Sequence, residues 1–172
     1  MRLITVLSIG VCAVLLACGE TMAVGLEIQQ IEDVSAVQCP VCARGLRVGH
    51  IHQDAEATMM TLMQEGLVRR DVKYAIGREE AKNLHVLVFR FNERQGGNFA
   101  ADKPASVGYH VHLMEGNVPV RVFVFDQTQE ALLDNLFNFF TSIRRGLRWI
   151  TAGELANEGV NKALDLFVED LR

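Results

Sequence analysis

Alternation between apolar and polar residues is strongest in the middle of the chain and predicts strands there. Residues 105–114 (ASVGYHVHLM) alternate strictly, and residues 118–125 (VPVRVFVF) do so again after a short turn. Two such segments joined by a Gly-containing turn are typical of an antiparallel β-hairpin. The preceding segment 84–92 (LHVLVFRFN) is almost continuously apolar, which favours a central strand covered on both faces.

Helical spacing of apolar residues predicts helices on either side of these strands. One begins after Asp54, a second after Asp126, where Gln129 lies at capping-box spacing, and the last after Thr151, where Glu154 does the same. The apolar stripes of the three helices are Ala55, Met59, Leu62, Met63 and Gly66; Leu132, Leu133, Leu136, Phe139 and Phe140; and Leu155, Ala163, Leu164, Phe167, Val168 and Leu171.

The order of these elements predicts an α+β fold, a small antiparallel or mixed sheet with helices packed on one face. Residues 68–75 add a partly exposed strand, and residues 93–104 form a loop with a Gly pair and a Pro. The chain of 172 residues is long enough for one domain with a core. It has no internal repeat.

The start of the chain predicts export and lipidation. Residues 1–17 (MRLITVLSIGVCAVLLA) carry a positive charge and then an apolar run, as in a secretory signal peptide. Leu15 stands three residues before Cys18 and the small Ala17 directly before it, a pattern that resembles a bacterial lipobox. We therefore expect Cys18 to be acylated, with chains such as palmitate, and Gly19 to favour sorting to the outer membrane.

Three regions follow from this cleavage site. Residues 1–17 are the lipoprotein signal peptide, residues 18–53 a lipidated N-terminus and a Cys- and Gly-containing tether, and residues 54–172 a single α/β domain. An ordinary signal peptide, or an uncleaved anchor with an incidental cysteine, is the alternative.

Composition narrows the function classes. Charged residues make up 22% of the chain and the formal net charge is −4, without a basic block, which argues against a nucleic-acid partner. No phosphate loop, nucleophile motif, zinc-protease motif or carboxylate pair is found. We therefore expect no enzymatic activity and no cofactor.

The CPVC segment leaves three interpretations open for Cys39 and Cys42. They form a short disulfide or two free thiols that stiffen a turn; they bind a metal with His50 and His52 in a C-x2-C-x7-H-x-H arrangement; or they are a redox pair.

A second candidate site lies on the predicted hairpin. His110 and His112 are two residues apart, so their side chains share one face of the sheet. They chelate a metal with a third ligand such as His85 or a carboxylate, or they are ordinary surface residues whose protonation changes near pH 6.

A third cluster joins three arginines and the single tryptophan, Arg144, Arg145, Arg148 and Trp149. Indole and guanidinium groups suit a membrane surface or an oligomer contact. In the alternative, Trp149 packs on the last helix and the arginines are solvated.

Four motifs resemble those of a group of delta-proteobacterial lipoproteins. They are an FxERxGG loop, a PASV strand, an FDETQ helix start and an RRGGRWxT turn, matched here within VLVFRFNERQGG, PASVGYHVHLM, FDQTQEALLDNLFNFF and RRGLRWITAGELA. The chain departs at Gln127, where the group has Glu, and at Leu147, where it has a second Gly. More distantly the group is similar to the TolB N-terminal domain, the curli-secretion lipoprotein and the Pel polysaccharide export lipoprotein.

The resemblance implies small α/β domains that bind, assemble or line an export path and are not enzymes. We therefore expect a periplasmic lipoprotein, anchored on the periplasmic side of the outer membrane by its N-terminal lipid, that acts as a binding or assembly module in cell-envelope biogenesis or export. Its partners would be proteins or further copies of itself. The alternative function is a periplasmic metal-binding or thiol-redox protein that uses the CxxC pair and nearby histidines.

Overall fold

A mixed five-stranded sheet forms the centre of the computed structural model. The structure describes residues 23–31, 33, 35–77, 81–96, 101–129 and 150–172. Its elements in chain order are β1 (Val24–Gln30), α1 (Ala55–Arg69), β2 (Tyr74–Ile76), β3 (Lys82–Asn92), β4 (Gln95–Gly96), β5 (Ala101–Lys103), β6 (Ser106–Glu115), β7 (Val118–Thr128) and α2 (Ala152–Leu171).

The strand order of the large sheet is β2-β1-β3-β6-β7. Strand β1 runs parallel to both β2 and β3, whereas β3, β6 and β7 are antiparallel neighbours. The predicted central strand and hairpin are thus confirmed. Gly116 has a φ of 58° in the hairpin turn, a backbone conformation that glycine adopts without steric cost.

Helices α1 and α2 cover one face of this sheet, here called the helix face, which confirms the predicted α+β class. The alternating apolar residues of β6 all point into this layer and are fully buried or nearly so. Tyr109 belongs to them, and its hydroxyl donates a hydrogen bond of 2.9 Å to the carbonyl oxygen of Ala156 in α2. A capping box joins Thr151 and Glu154 at the start of α2, as predicted. Within the described ranges, no helix has the length and apolarity needed to cross a membrane.

The region predicted as a tether contributes to the domain itself. Residues Val24–Gln30 form β1, an interior strand of the sheet, and Val24, Leu26 and Ile28 are buried in the core. The domain therefore begins well before residue 54. The reason is non-local: β1 is stabilised by parallel pairing with β2 and β3, which follow more than 40 residues later.

Three further predictions need correction. Residues 68 and 69 end α1, so the strand predicted over 68–75 is shortened to β2. Asp126 does not cap a helix, because β7 continues through Thr128. The carboxylate of Asp126 instead forms ion pairs with Arg47 and Arg90. The predicted loop 93–104 contains the short paired strands β4 and β5. The apolar stripe predicted between Leu132 and Phe140 lies outside the described residues.

Candidate functional site

Residues 36–48, here called the Cys loop, contact the face of the sheet opposite the helices, here called the outer face. The loop closes on itself through a bridge between Gln38 and Gly45 and a hydrogen bond of 2.8 Å from the Cys39 amide to the Arg44 carbonyl. Ala43 makes this tight turn with a φ of 55°. An apolar cluster joins the loop to β3, and its buried members are Cys39, Leu46, Leu87 and Phe89.

Two cysteines of this loop meet two histidines of β6. The Sγ atom of Cys39 lies 3.4 Å from Nε2 of His112, and Sγ of Cys42 lies 3.5 Å from Nδ1 of His110. One donor atom from each of the four residues lies within 4.8 Å of every other. We call these four residues the Cys–His cluster. Its halves are separated by 68 to 73 positions in the sequence.

Both imidazoles are held by their surroundings. Nδ1 of His112 lies 3.2 Å from the carbonyl oxygen of His85, which can only accept, so Nδ1 carries the proton and Nε2 presents its lone pair to Cys39. The ring of Phe89 meets that of His110 edge-on at a centroid distance of 5.3 Å. The cluster is therefore oriented by β3, which lies beside β6.

Burial disfavours the charged forms of Cys39, His110 and His112. It lowers the pKa of His110 to about 4, with His112 and Arg44 acting in the same direction. Burial also lowers the pKa of His112 and raises the pKa of the Cys39 thiol. Both imidazoles are thus neutral at pH 7 and able to donate a lone pair.

The predicted site residues lie together in a different combination from the one that the sequence suggested. His110 and His112 are 0% exposed because the Cys loop covers the outer face above them, so they are not surface residues. Burial lowers the pKa of both imidazoles, to about 4 in His110, so the predicted titration near pH 6 is wrong for His110. His50 and His52 do not join the cysteines: the backbone of His50 bonds to Phe91, and His52 contacts Asp54. The group of donor atoms that could hold a metal ion together with the histidine pair contains the two cysteine sulfurs and not the side chain of His85.

The thiols of Cys39 and Cys42 are free in the structure, which is one of the two states that the first interpretation left open for them. Four other predicted residues, Arg144, Arg145, Arg148 and Trp149, lie outside the described residues, as does Cys18. The sequence named all four members of the Cys–His cluster. It did not pair them correctly, because the contact depends on how the loop folds over the sheet.

A second surface of interest is the free edge of the sheet at β7. This strand has 11 residues and pairs with β6 on one side; on its other side it pairs with none of the strands described. Three of its valines are exposed, Val118 at 62%, Val120 at 45% and Val124 at 36%. A long apolar edge strand is a template for pairing with another chain.

Comparison with known proteins shows that the fold is shared with solved structures, but it assigns the chain to no family. The chain matches no protein-family model and no curated protein sequence. Its fold is similar to that of PelC from Paraburkholderia phytofirmans in two crystal forms of the PelC dodecamer. One gives a TM-score of 0.51 at 11% identity over 84% of this chain and 83% of PelC. The other gives 0.50 at 11% identity over 84% of each chain.

A protein from Xanthomonas campestris gives a TM-score of 0.40 at 14% identity over 87% of this chain and 86% of that one, too low to carry an argument. The resemblance to the Pel lipoprotein expected from the sequence is therefore confirmed for the fold. Membership of the delta-proteobacterial group, and the likeness to the TolB and curli-secretion domains, stay predictions.

Proposed function

We propose that this protein is a non-enzymatic lipoprotein of the cell envelope, a self-associating module for binding or assembly in envelope biogenesis or export. The observation that carries the proposal is the fold shared with PelC, a dodecamer, over 84% of the chain. The lipobox-like residues before Cys18 support a lipid anchor on the periplasmic side of the outer membrane. An anchor restricts copies to a plane and so raises their effective concentration for one another.

The free edge at β7 is the surface that suits self-association, and we propose a second copy of the chain as its occupant. Backbone groups of an edge strand bind another strand through main-chain hydrogen bonds, and exposed apolar side chains add buried area. The opposite edge of the sheet is less suited, because β2 has only 3 residues.

The full-length protein, extracted in mild detergent, should therefore be oligomeric when its mass is measured by light scattering. Replacing Val120 and Val124 with lysine should weaken association by about 100-fold or more, because two charges would be desolvated in the interface. Leu166→Lys is the matched control, since Leu166 is 51% exposed on α2, in the other layer. A monomeric wild type, or an oligomer indifferent to the β7 substitutions, would contradict this role for the edge.

The anchor is tested by metabolic labelling with a palmitate analogue. We expect label in the wild type and none in Cys18→Ser, because the thiol is the acylated group. Cys12→Ser and Cys39→Ser are matched controls and should be labelled normally. Equal label in Cys18→Ser and the wild type would refute the anchor without bearing on the fold.

A further inference from the structure

We propose that the Cys–His cluster binds one Zn²⁺ ion in a closed, four-coordinate structural site. Cys39 and Cys42 supply two thiolates from the Cys loop, and His110 and His112 supply two imidazoles from β6. The inference does not depend on the envelope function proposed above.

The donor set selects the metal. Two sulfur and two nitrogen donors in a tetrahedral arrangement are typical of zinc, and a site with four protein ligands and no open position is structural. Oxygen-preferring ions such as Mg²⁺ and Ca²⁺ do not suit thiolate and imidazole ligands.

The distances in the cluster fit the ion. With Zn–S of about 2.3 Å and Zn–N of about 2.0–2.1 Å, adjacent sulfur and nitrogen vertices of a tetrahedron are about 3.6 Å apart. The two sulfur–nitrogen distances of 3.4 and 3.5 Å match that edge. The other donor pairs lie within 4.8 Å of one another, and zinc would draw them closer through side-chain movement.

Outer contacts prepare both kinds of ligand. The carbonyl of His85 holds the proton of His112 on Nδ1, so Nε2 is free to bind, an arrangement that recurs in zinc sites. At Cys39, burial raises the pKa of the thiol, and the neighbouring backbone groups of Cys42 and Val41 act in the opposite direction and favour the thiolate. Two thiolates also balance the double charge of the ion, so the buried complex is neutral.

The position of the cluster gives the ion a structural role. Besides the cysteine–histidine contacts and a small apolar cluster, Arg47 links the Cys loop to the sheet: its side chain pairs with Asp126, and its carbonyl accepts from Arg90 at 3.4 Å. The Arg47 side chain is 74% exposed, so its ion pair contributes little. Zinc would cross-link the loop to β6 over about 70 residues of sequence and hold it on the outer face.

The test is the metal content of the full-length protein, purified in mild detergent through a tag without histidines and under reducing conditions. We expect one zinc per chain by elemental analysis. Cys42→Ser and His112→Ala should lower zinc affinity by more than about 100-fold, because loss of an outer-shell partner alone costs about 10- to 100-fold.

His50→Ala/His52→Ala is the matched control, because it removes the two histidines that follow the Cys loop in the sequence and are not in the cluster. It should retain one zinc per chain. Circular dichroism establishes that each variant is folded, and Cys42→Ser is the mildest change, since Cys42 is only partly buried and serine is nearly isosteric.

Trypsin provides a second readout on the wild-type protein. Arg44 and Arg47 are exposed residues of the Cys loop, whose backbone zinc would hold against the sheet. Removal of zinc by a chelator should release this backbone and so permit cleavage after the two arginines while the sheet stays intact. Cleavage at these sites should be suppressed when zinc is restored and should not respond to magnesium.

Several results would overturn the site. One is a wild-type protein that contains no zinc although zinc was present during its production and purification. Another is zinc retained by Cys42→Ser and His112→Ala, and a third is zinc lost from the His50→Ala/His52→Ala control. One equivalent of copper in place of zinc would overturn the choice of metal. Cleavage of the loop that is indifferent to the chelator would overturn the cross-linking role.

Discussion

Replacing Gly159 with leucine should leave the domain unfolded or severely destabilised. Gly159 lies in the middle of α2, and a Cβ atom there would stand 2.2 Å from the hydroxyl of Tyr109 and 2.6 Å from the ring of Phe125. Both neighbours are buried, and the Tyr109 hydroxyl is tied to α2 by its bond to Ala156, so neither can move freely. Even Gly159→Ala should cost about 2–3 kcal/mol of unfolding free energy by overpacking.

Gly153→Ala is the matched control in the same helix. A Cβ at Gly153 would lie 3.6 Å from the nearest atom outside its chain neighbours, a methyl of Thr58, which is ordinary contact. Because alanine favours a helix over glycine, this change should be neutral or stabilising by up to about 1 kcal/mol. Urea denaturation followed by circular dichroism measures both. Equal effects at the two glycines would contradict the close approach of α2 to the sheet.

Asp126→Ala should lower the unfolding free energy by about 3 kcal/mol. Its carboxylate accepts from Arg90 across Gly108, which stands between the two residues in the register of β3, β6 and β7. The side chains are 17% and 13% exposed, so removal of the carboxylate leaves a largely buried guanidinium without its charge partner. That loss costs much more than an exposed pair contributes.

Arg47→Ala is the control for this prediction, because Arg47 donates to the same carboxylate at 2.6 Å from a side chain that is 74% exposed. Its loss should cost less than about 1 kcal/mol. If thermal and urea unfolding gave both variants the same loss, the network between β3 and β7 would not be the stabilising element inferred here.

The sequence predicted the part of the fold that depends on local pattern. Strict alternation in β6 and β7 specified which residues share a face, and Thr151 with Glu154 marked the start of α2. Strand β1 was missed although Val24, Leu26 and Ile28 also alternate. Its partners lie far along the chain, and a short alternating run near the N-terminus does not by itself reveal parallel pairing.

The sequence predicted which residues form the candidate site, but it did not predict which of them contact one another. Spacing favoured His50 and His52 as partners of the cysteines, because they are the nearest histidines in the sequence. Periodicity placed His110 and His112 on one face and gave no sign that the Cys loop covers it. The helix cap predicted at Asp126 was wrong for a similar reason. Its spacing to Gln129 suits a capping box, but tertiary pairing with Arg90 extends the strand.

X-ray absorption at the zinc edge of the purified protein tests the zinc assignment most directly, because it reports the ligand atoms themselves. A site made by the Cys–His cluster predicts two sulfur atoms at about 2.3 Å and two nitrogen atoms at about 2.0–2.1 Å from the metal. A shell of oxygen and nitrogen atoms without sulfur would contradict it.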